Sequence, residues 1–110
     1  MSLQVVFLAT ADQDLRELRA YIVRNFGKEV WLVSYGRIKE VVNNIASFPL
    51  EGAIPPELEK LQLAQYRQVM AGTNRIVYEL RGDVVYIHIV CDTRRDLAGL
   101  LNRRLIRTSR

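Results

Sequence analysis

The sequence predicts an α+β fold: an N-terminal strand, an antiparallel helical hairpin, a three-stranded antiparallel meander that completes one sheet, and a C-terminal helix. Three observations carry this. Between residues 10 and 48 apolar side chains recur at helical spacing, with one break at Gly27. Between residues 64 and 91 three strand-like runs are separated by two glycine turns. From Leu97 onward a leucine stripe returns to helical steps.

Gln4–Leu8 is short, apolar and rich in β-formers, which reads as a strand. Thr10 and Gln13 have the spacing of a capping box, each side chain serving an orphan amide at a helix start. Behind them Leu15, Leu18, Ile22 and Phe26 share a helix face, and Gly27 supplies the stop. A second helix follows at once, with Trp31, Ser34, Ile38, Val41, Ile45 and Phe48 on one face. Pro49 ends it, because the residue before a proline is pushed out of the helical region. So short a connection implies two antiparallel arms. Gly36 lies mid-helix at a cost of about 1 kcal/mol; it either admits close approach of the other arm or is neutral.

Leu50–Pro56 is rich in proline and glycine and reads as a loop within one domain spanning 1–110. Strands are expected at Ala64–Met70, Asn74–Arg81 and Asp83–Cys91, turning at Ala71-Gly72-Thr73 and Arg81-Gly82-Asp83. Such short turns force antiparallel pairing. The last run is apolar on both faces and belongs in the middle of the sheet. Thr93 and Asp96 would cap the final helix, whose stripe is Leu97, Leu100, Leu101 and Leu105. Helices would cover one sheet face, since each has only an apolar stripe.

Charge is unevenly spread. Residues 1–60 carry 7 basic and 8 acidic side chains, whereas residues 61–110 carry 9 and 4, and all nine of those bases are arginine. Six of them, Arg94, Arg95, Arg103, Arg104, Arg107 and Arg110, crowd the last seventeen positions. Guanidinium is a planar fork matched to carboxylate and phosphate, so the block points to oriented contact with an anionic partner; a solvated helix face is the alternative. The single cysteine, Cys91, excludes an internal disulfide and fits a reducing compartment. No apolar run reaches the roughly 18 residues of a membrane span, and the N-terminus lacks the basic start of a secretory signal. A cytoplasmic protein without membrane contact is expected.

Arg94 and Arg95 would sit in the first turn of the last helix, where the dipole disfavours cations, unless an anion visits; a local bridge from Arg94 to Asp92 is the alternative. With the turn near Gly72, Arg67 and Arg75 would lie close across the ladder. Alternation then sets Arg75, Val77 and Glu79 on one face and Ile76, Tyr78 and Leu80 on the other. A polar sheet face rimmed by Arg67, Arg75 and Arg94 would hold a phosphodiester or an acidic peptide, with plainly solvated strand positions as the alternative. His88, the one histidine, shares a face with Val84, Tyr86 and Val90 and reads as packed; Cys91 would point the other way, so no metal site is implied. No cofactor motif occurs. Glu57 and Glu59 read as surface charge.

The run YRQVMAGTNRIVYELRGDVVYIHIVCDTRRDLAGLLNRRL, Tyr66 to Leu105, resembles the C-terminal half of RelE/ParE-type toxins of type II toxin–antitoxin systems. DLRELRAYIVRNFG and IASFP resemble the helical hairpin of that family and its exit. The resemblance implies a small toxin neutralised by a cognate antitoxin, with growth inhibition and plasmid stabilization as associated roles. One branch cleaves mRNA in the ribosome with a basic cluster and a late tyrosine or histidine; the other poisons DNA gyrase without that set. Arg67, Arg75 and Arg94 match basic positions of the nuclease site, but a further basic position falls on Val69 and the late tyrosine on Leu100. Arginine stabilises phosphorane charge yet, always protonated, is a poor base. The absent proton-transfer group favours the gyrase reading, with ribosome-dependent endoribonuclease as the alternative and a non-toxic basic interaction module as a third. Antitoxin or target contacts are expected at Arg94, Arg95, Arg103, Arg104, Arg107 and Trp31; catalysis, in the nuclease case, at Arg67, Arg75 and Arg94. Homo-oligomers or toxin–antitoxin hetero-oligomers are both open.

Overall fold

The computed structural model describes residues 2–108, with side chains as far as Leu105. Arg110 lies outside the described residues, as does the side chain of Arg107. The element order is β1 (Gln4–Phe7), α1 (Ala9–Phe26), α2 (Lys28–Ser47), α3 (Pro56–Glu59), β2 (Tyr66–Ala71), β3 (Asn74–Arg81), β4 (Val84–Asp92) and α4 (Leu97–Thr108). The sheet runs β1-β4-β3-β2. β4 is internal as its apolar sequence implied, antiparallel to β3 and parallel to β1. The connection between this parallel pair runs through the α1–α2 hairpin, α3 and the β2–β3 meander.

Several local expectations are corrected. α1 starts at Ala9 with Leu8 as an N-cap that makes no side-chain bond, so no capping box forms at Thr10. Gln13 bonds Glu17 one turn on instead. Gly36 is exposed and a β-carbon there would meet nothing, so it marks no close approach. Residues after the loop form the one-turn α3, with Pro56 in its first turn, a position where a missing amide costs nothing. α4 begins at Leu97, with Asp96 as its cap: the carboxylate accepts the Gly99 amide at 3.1 Å.

Helices cover both faces of the sheet, not one. On the first face Ala11, Ile38, Val42 and Ile45 pack against Ile76, Tyr78, Val85, Ile87 and Val90. On the second, Leu58 of α3 and Leu97, Leu100 and Leu101 of α4 pack against Tyr66, Val77, Ile89 and Cys91. A β-bulge divides β4: Val77 pairs with Ile89 and Tyr78 with Ile87, leaving His88 as the extra residue. Alternation therefore resets. His88 stays with Tyr86 on the α4 side, whereas Val90 turns to the helical hairpin and Cys91 joins the side of His88.

The loop after α2 is held from the sheet. The Tyr78 hydroxyl donates to the Pro49 carbonyl at 2.7 Å and accepts the Gly52 amide at 3.2 Å. Arg67 donates to the carbonyls of Gly52 at 2.7 Å and Leu50 at 3.1 Å.

Candidate functional site

The candidate arginines do not gather on one face. β2 and β3 pair Arg67 with Tyr78 and Met70 with Arg75, so Arg67 lies on the hairpin side and Arg75 on the α4 side. Arg67 anchors the loop. Arg75 is buried, with Nη1 donating to Gln68 Oε1 at 3.1 Å and Nη2 to the Thr93 carbonyl at 3.1 Å and to Glu57 Oε2 at 3.1 Å. Its Nε is the one buried side-chain polar atom among the described residues that finds no acceptor. Glu57, expected as plain surface charge, is thus the counter-ion of a buried cation, and the hydrogen bond from Arg75 holds its carboxyl below the usual value. Arg94 is exposed and bridges locally: its Nε lies 3.0 Å from Asp92 Oδ1, and its backbone amide donates to the same oxygen at 2.8 Å. Since α4 starts at Leu97, Arg94 and Arg95 precede the helix instead of occupying its first turn. The sequence alone cannot fix a helix start between two plausible caps, Thr93 and Asp96.

Val69 and Leu100, where the resemblance implies a basic residue and a tyrosine for the nuclease branch, are apolar and packed. Val69 lies against the hairpin core and Leu100 is buried against the sheet. His88 is buried beneath α4, its Nε2 2.9 Å from Glu79 Oε1 and its ring edge-on to Tyr66 at 5.0 Å. Glu79 also takes Arg81 at 2.9 Å. Burial pushes the His88 imidazole below its ordinary pKa, and the Glu79 hydrogen bond opposes that without reversing it. Cys91 is buried, which pushes its thiol up. Among the described residues no group of histidine, cysteine and acids is placed to hold a metal, and no helix is long and apolar enough to cross a membrane.

Of the other predicted contact residues, Trp31 is buried and stacked on Tyr35 at 5.3 Å. Arg103 is exposed on α4. Arg104 is largely buried. Its guanidinium reaches past β4 to Asp14 of α1, with contacts of 2.6 and 2.9 Å, and donates to the His88 carbonyl at 3.0 Å. Asp14 also accepts the Val90 amide at 2.9 Å. β1 stops pairing with β4 at Ile87; beyond it the Asp14–Arg104 pair supplies the acceptor and donor that a longer strand would have offered.

What the sequence did not single out is a groove of about 900 Å³ between the hairpin, the β2–β3 turn and the end of β4. Tyr21, Phe26, Val30 and Val33 form an apolar wall and are 56%, 61%, 44% and 67% exposed. Arg37, Arg94 and Arg95 stand on its rim, with Asp14, Glu17 and Asp92 among its acids. The available signal was the excess of apolar residues beside the buried helical stripes. Phe26 shares the helical spacing of the α1 stripe but stands exposed on this wall.

A sheet with a helical hairpin on one face, a short C-terminal helix on the other, and an apolar groove with an arginine rim defines a small α+β protein. The family model for the ParE toxin of type II toxin–antitoxin systems, parDE, matches residues 5–97, and this chain belongs to that family. Among solved structures it is similar to a chain of the chromosomal ParDE toxin–antitoxin system from P. aeruginosa, with 17% identity, a TM-score of 0.68, and coverage of 83% of this chain and 96% of that one. It is also similar to a chain of the RelBE2 toxin–antitoxin complex from Mycobacterium tuberculosis, with 21% identity, a TM-score of 0.59, and coverage of 84% and 99%. At these identities the two structures speak to the fold. No curated protein sequence matches the chain.

Proposed function

We propose that this chain is a cytoplasmic toxin that inhibits growth by binding DNA gyrase and is neutralised by a cognate antitoxin. The observation that supports a binding mechanism is the state of the would-be nuclease positions. Arg67 and Arg75 stand on opposite sheet faces, each holding structure together, and Leu100 is core. RNA cleavage needs one group to take the 2′-hydroxyl proton and another to protonate the leaving oxygen. The antitoxin tail lies in the hairpin groove, with apolar anchors against Tyr21, Phe26, Val30 and Val33 and acids toward Arg37, Arg94 and Arg95. Gyrase supercoiling measured with purified toxin tests the target; undiminished supercoiling at stoichiometric excess overturns it.

A second reading, ribosome-dependent mRNA cleavage, is supported by the Glu57–Arg75 pair, which lines an open recess of about 630 Å³ beside Lys60, Gln68 and Thr93. Transcript cleavage in a translation extract that disappears with Glu57→Gln, at unchanged folded fraction, would establish it in place of gyrase inhibition. Growth unaffected by induced expression would favour a non-toxic interaction module over both.

A further inference from the structure

We infer that α4 sets the charge of the groove on the opposite face of the sheet, acting through Arg104 on Asp14. This rests on the proposed docking of an acidic, apolar-anchored segment in that groove, and it concerns how that site is regulated.

The groove faces six charged side chains: Asp14, Glu17, Arg37, Asp92, Arg94 and Arg95. Taken alone they balance. Asp92 and Arg94 already satisfy each other at 3.0 Å. Asp14 differs from the rest because its partner comes from outside the groove. Its two oxygens meet Nη2 and Nη1 of Arg104 at 2.6 and 2.9 Å. Arg104 belongs to α4, which packs on the other face, and it reaches Asp14 around the β4 edge that β1 leaves uncovered. Both side chains are poorly accessible, 11% and 16%, so solvent screens the pair weakly.

While α4 is seated, the carboxylate of Asp14 is neutralised from behind and the groove presents a surplus of guanidinium. With Arg104 withdrawn, the same carboxylate faces the groove without its counter-ion. It then repels the acids of an incoming segment. Seating of α4 and acceptance of an anionic occupant are therefore linked, and by reciprocity an anionic occupant favours the seated helix. Neutral apolar occupants are indifferent to this device, since the groove wall itself is untouched.

The test uses the full chain, isotope-labelled, and two aromatic probes of similar shape: naphthalene sulfonate, an anion, and naphthol, which is neutral. Binding is read from shifts of the groove amides, which also report that each variant is folded. Arg104→Ala is expected to weaken the sulfonate about fivefold, the effect of one unscreened charge several ångströms away, and to leave naphthol within about twofold. Asp14→Asn is expected to restore sulfonate binding in the Arg104→Ala background. Arg104→Lys, which keeps the charge, should bind as the parent does. Equal weakening of both probes, or no rescue by Asp14→Asn, overturns the inference while leaving groove docking intact. If neither probe shifts the groove amides of the parent chain, the docking reading fails and this inference fails with it.

Discussion

The hydroxyl of Tyr78 lies against the backbone of Gly52, so closely that a β-carbon at position 52 would collide with it. The contact fastens the loop between the hairpin and α3 to the centre of the sheet. Gly52→Ala is expected to destabilise the fold by about 1–3 kcal/mol, the usual cost of overpacking. Tyr78→Phe, which removes the hydroxyl but keeps the ring, should cost about 1 kcal/mol. Urea unfolding of the two variants checks both values; a Gly52→Ala midpoint equal to the parent contradicts the contact.

Asp14 and Arg104 join α1 to α4 across the β4 edge. Removing one partner of a buried pair strands the other, so Asp14→Ala or Arg104→Ala alone should cost about 3 kcal/mol. The double variant should lose much less than the sum of the two. A double-mutant cycle by denaturant melts measures the coupling, and simple additivity would show that the pair is not energetically joined.

His88 gives the fold a pH dependence with a definite sign. Its folded pKa lies below the ordinary value of 6.5, chiefly through burial. The stability that the neutral imidazole contributes is therefore fully present above about pH 6.5 and declines as the pH falls through the lower folded value. Glu57, and Asp92 beside Arg94, are shifted down from carboxylate values, so their contributions are present above about pH 4.5 and fade only in stronger acid. Unfolding free energy measured from pH 7.5 to 5 should fall in the parent and lie nearly flat in His88→Gln. Identical slopes would remove His88 from the account.

Arg75 is a structural cation, so its substitution should be felt as stability before it is felt as function. Arg75→Ala leaves Glu57 without its partner and frees the Thr93 carbonyl and Gln68, at an expected cost of about 2–4 kcal/mol. Circular-dichroism melts should show a clear drop. A variant as stable as the parent would mean that the three contacts are incidental.

The groove wall can be changed at little cost to the fold. Val33→Asp alters a side chain that is 67% exposed, so stability should move by less than about 0.5 kcal/mol. Antitoxin affinity, by contrast, should fall at least about tenfold, because a charge would be buried against apolar anchors. Calorimetric titration decides the matter, and unchanged affinity relocates the antitoxin.

Much of the architecture was legible in the residues. Gly27, Pro49, Gly72 and Gly82 punctuate the chain where backbone geometry demands it, with φ of 97°, 65° and 61° at the three glycines. The apolar β4 run announced an internal strand. The bulge at His88 was not legible, because one extra residue in a uniformly apolar run leaves no mark on the pattern, and every facing assignment beyond it reversed. The placement of the arginines was not legible either. Arginine count says nothing about side-chain direction: Arg67, Arg75 and Arg104 turned inward onto carbonyls and carboxylates, which composition could not reveal. The groove wall was hidden for the opposite reason, since exposed valine and phenylalanine look like core until the stripe beside them is seen to be already full.

β1 is the edge strand beside β4, so Gln4 waits for Val84, about eighty positions further along the chain. During synthesis the helical hairpin emerges long before the strands that cover its inner face, and the first strand has nowhere to settle until β4 has left the ribosome. A chain cut between α2 and β4 therefore leaves β1 without its partner strand and strips Val85, Ile87 and Val90 from the core beneath the hairpin.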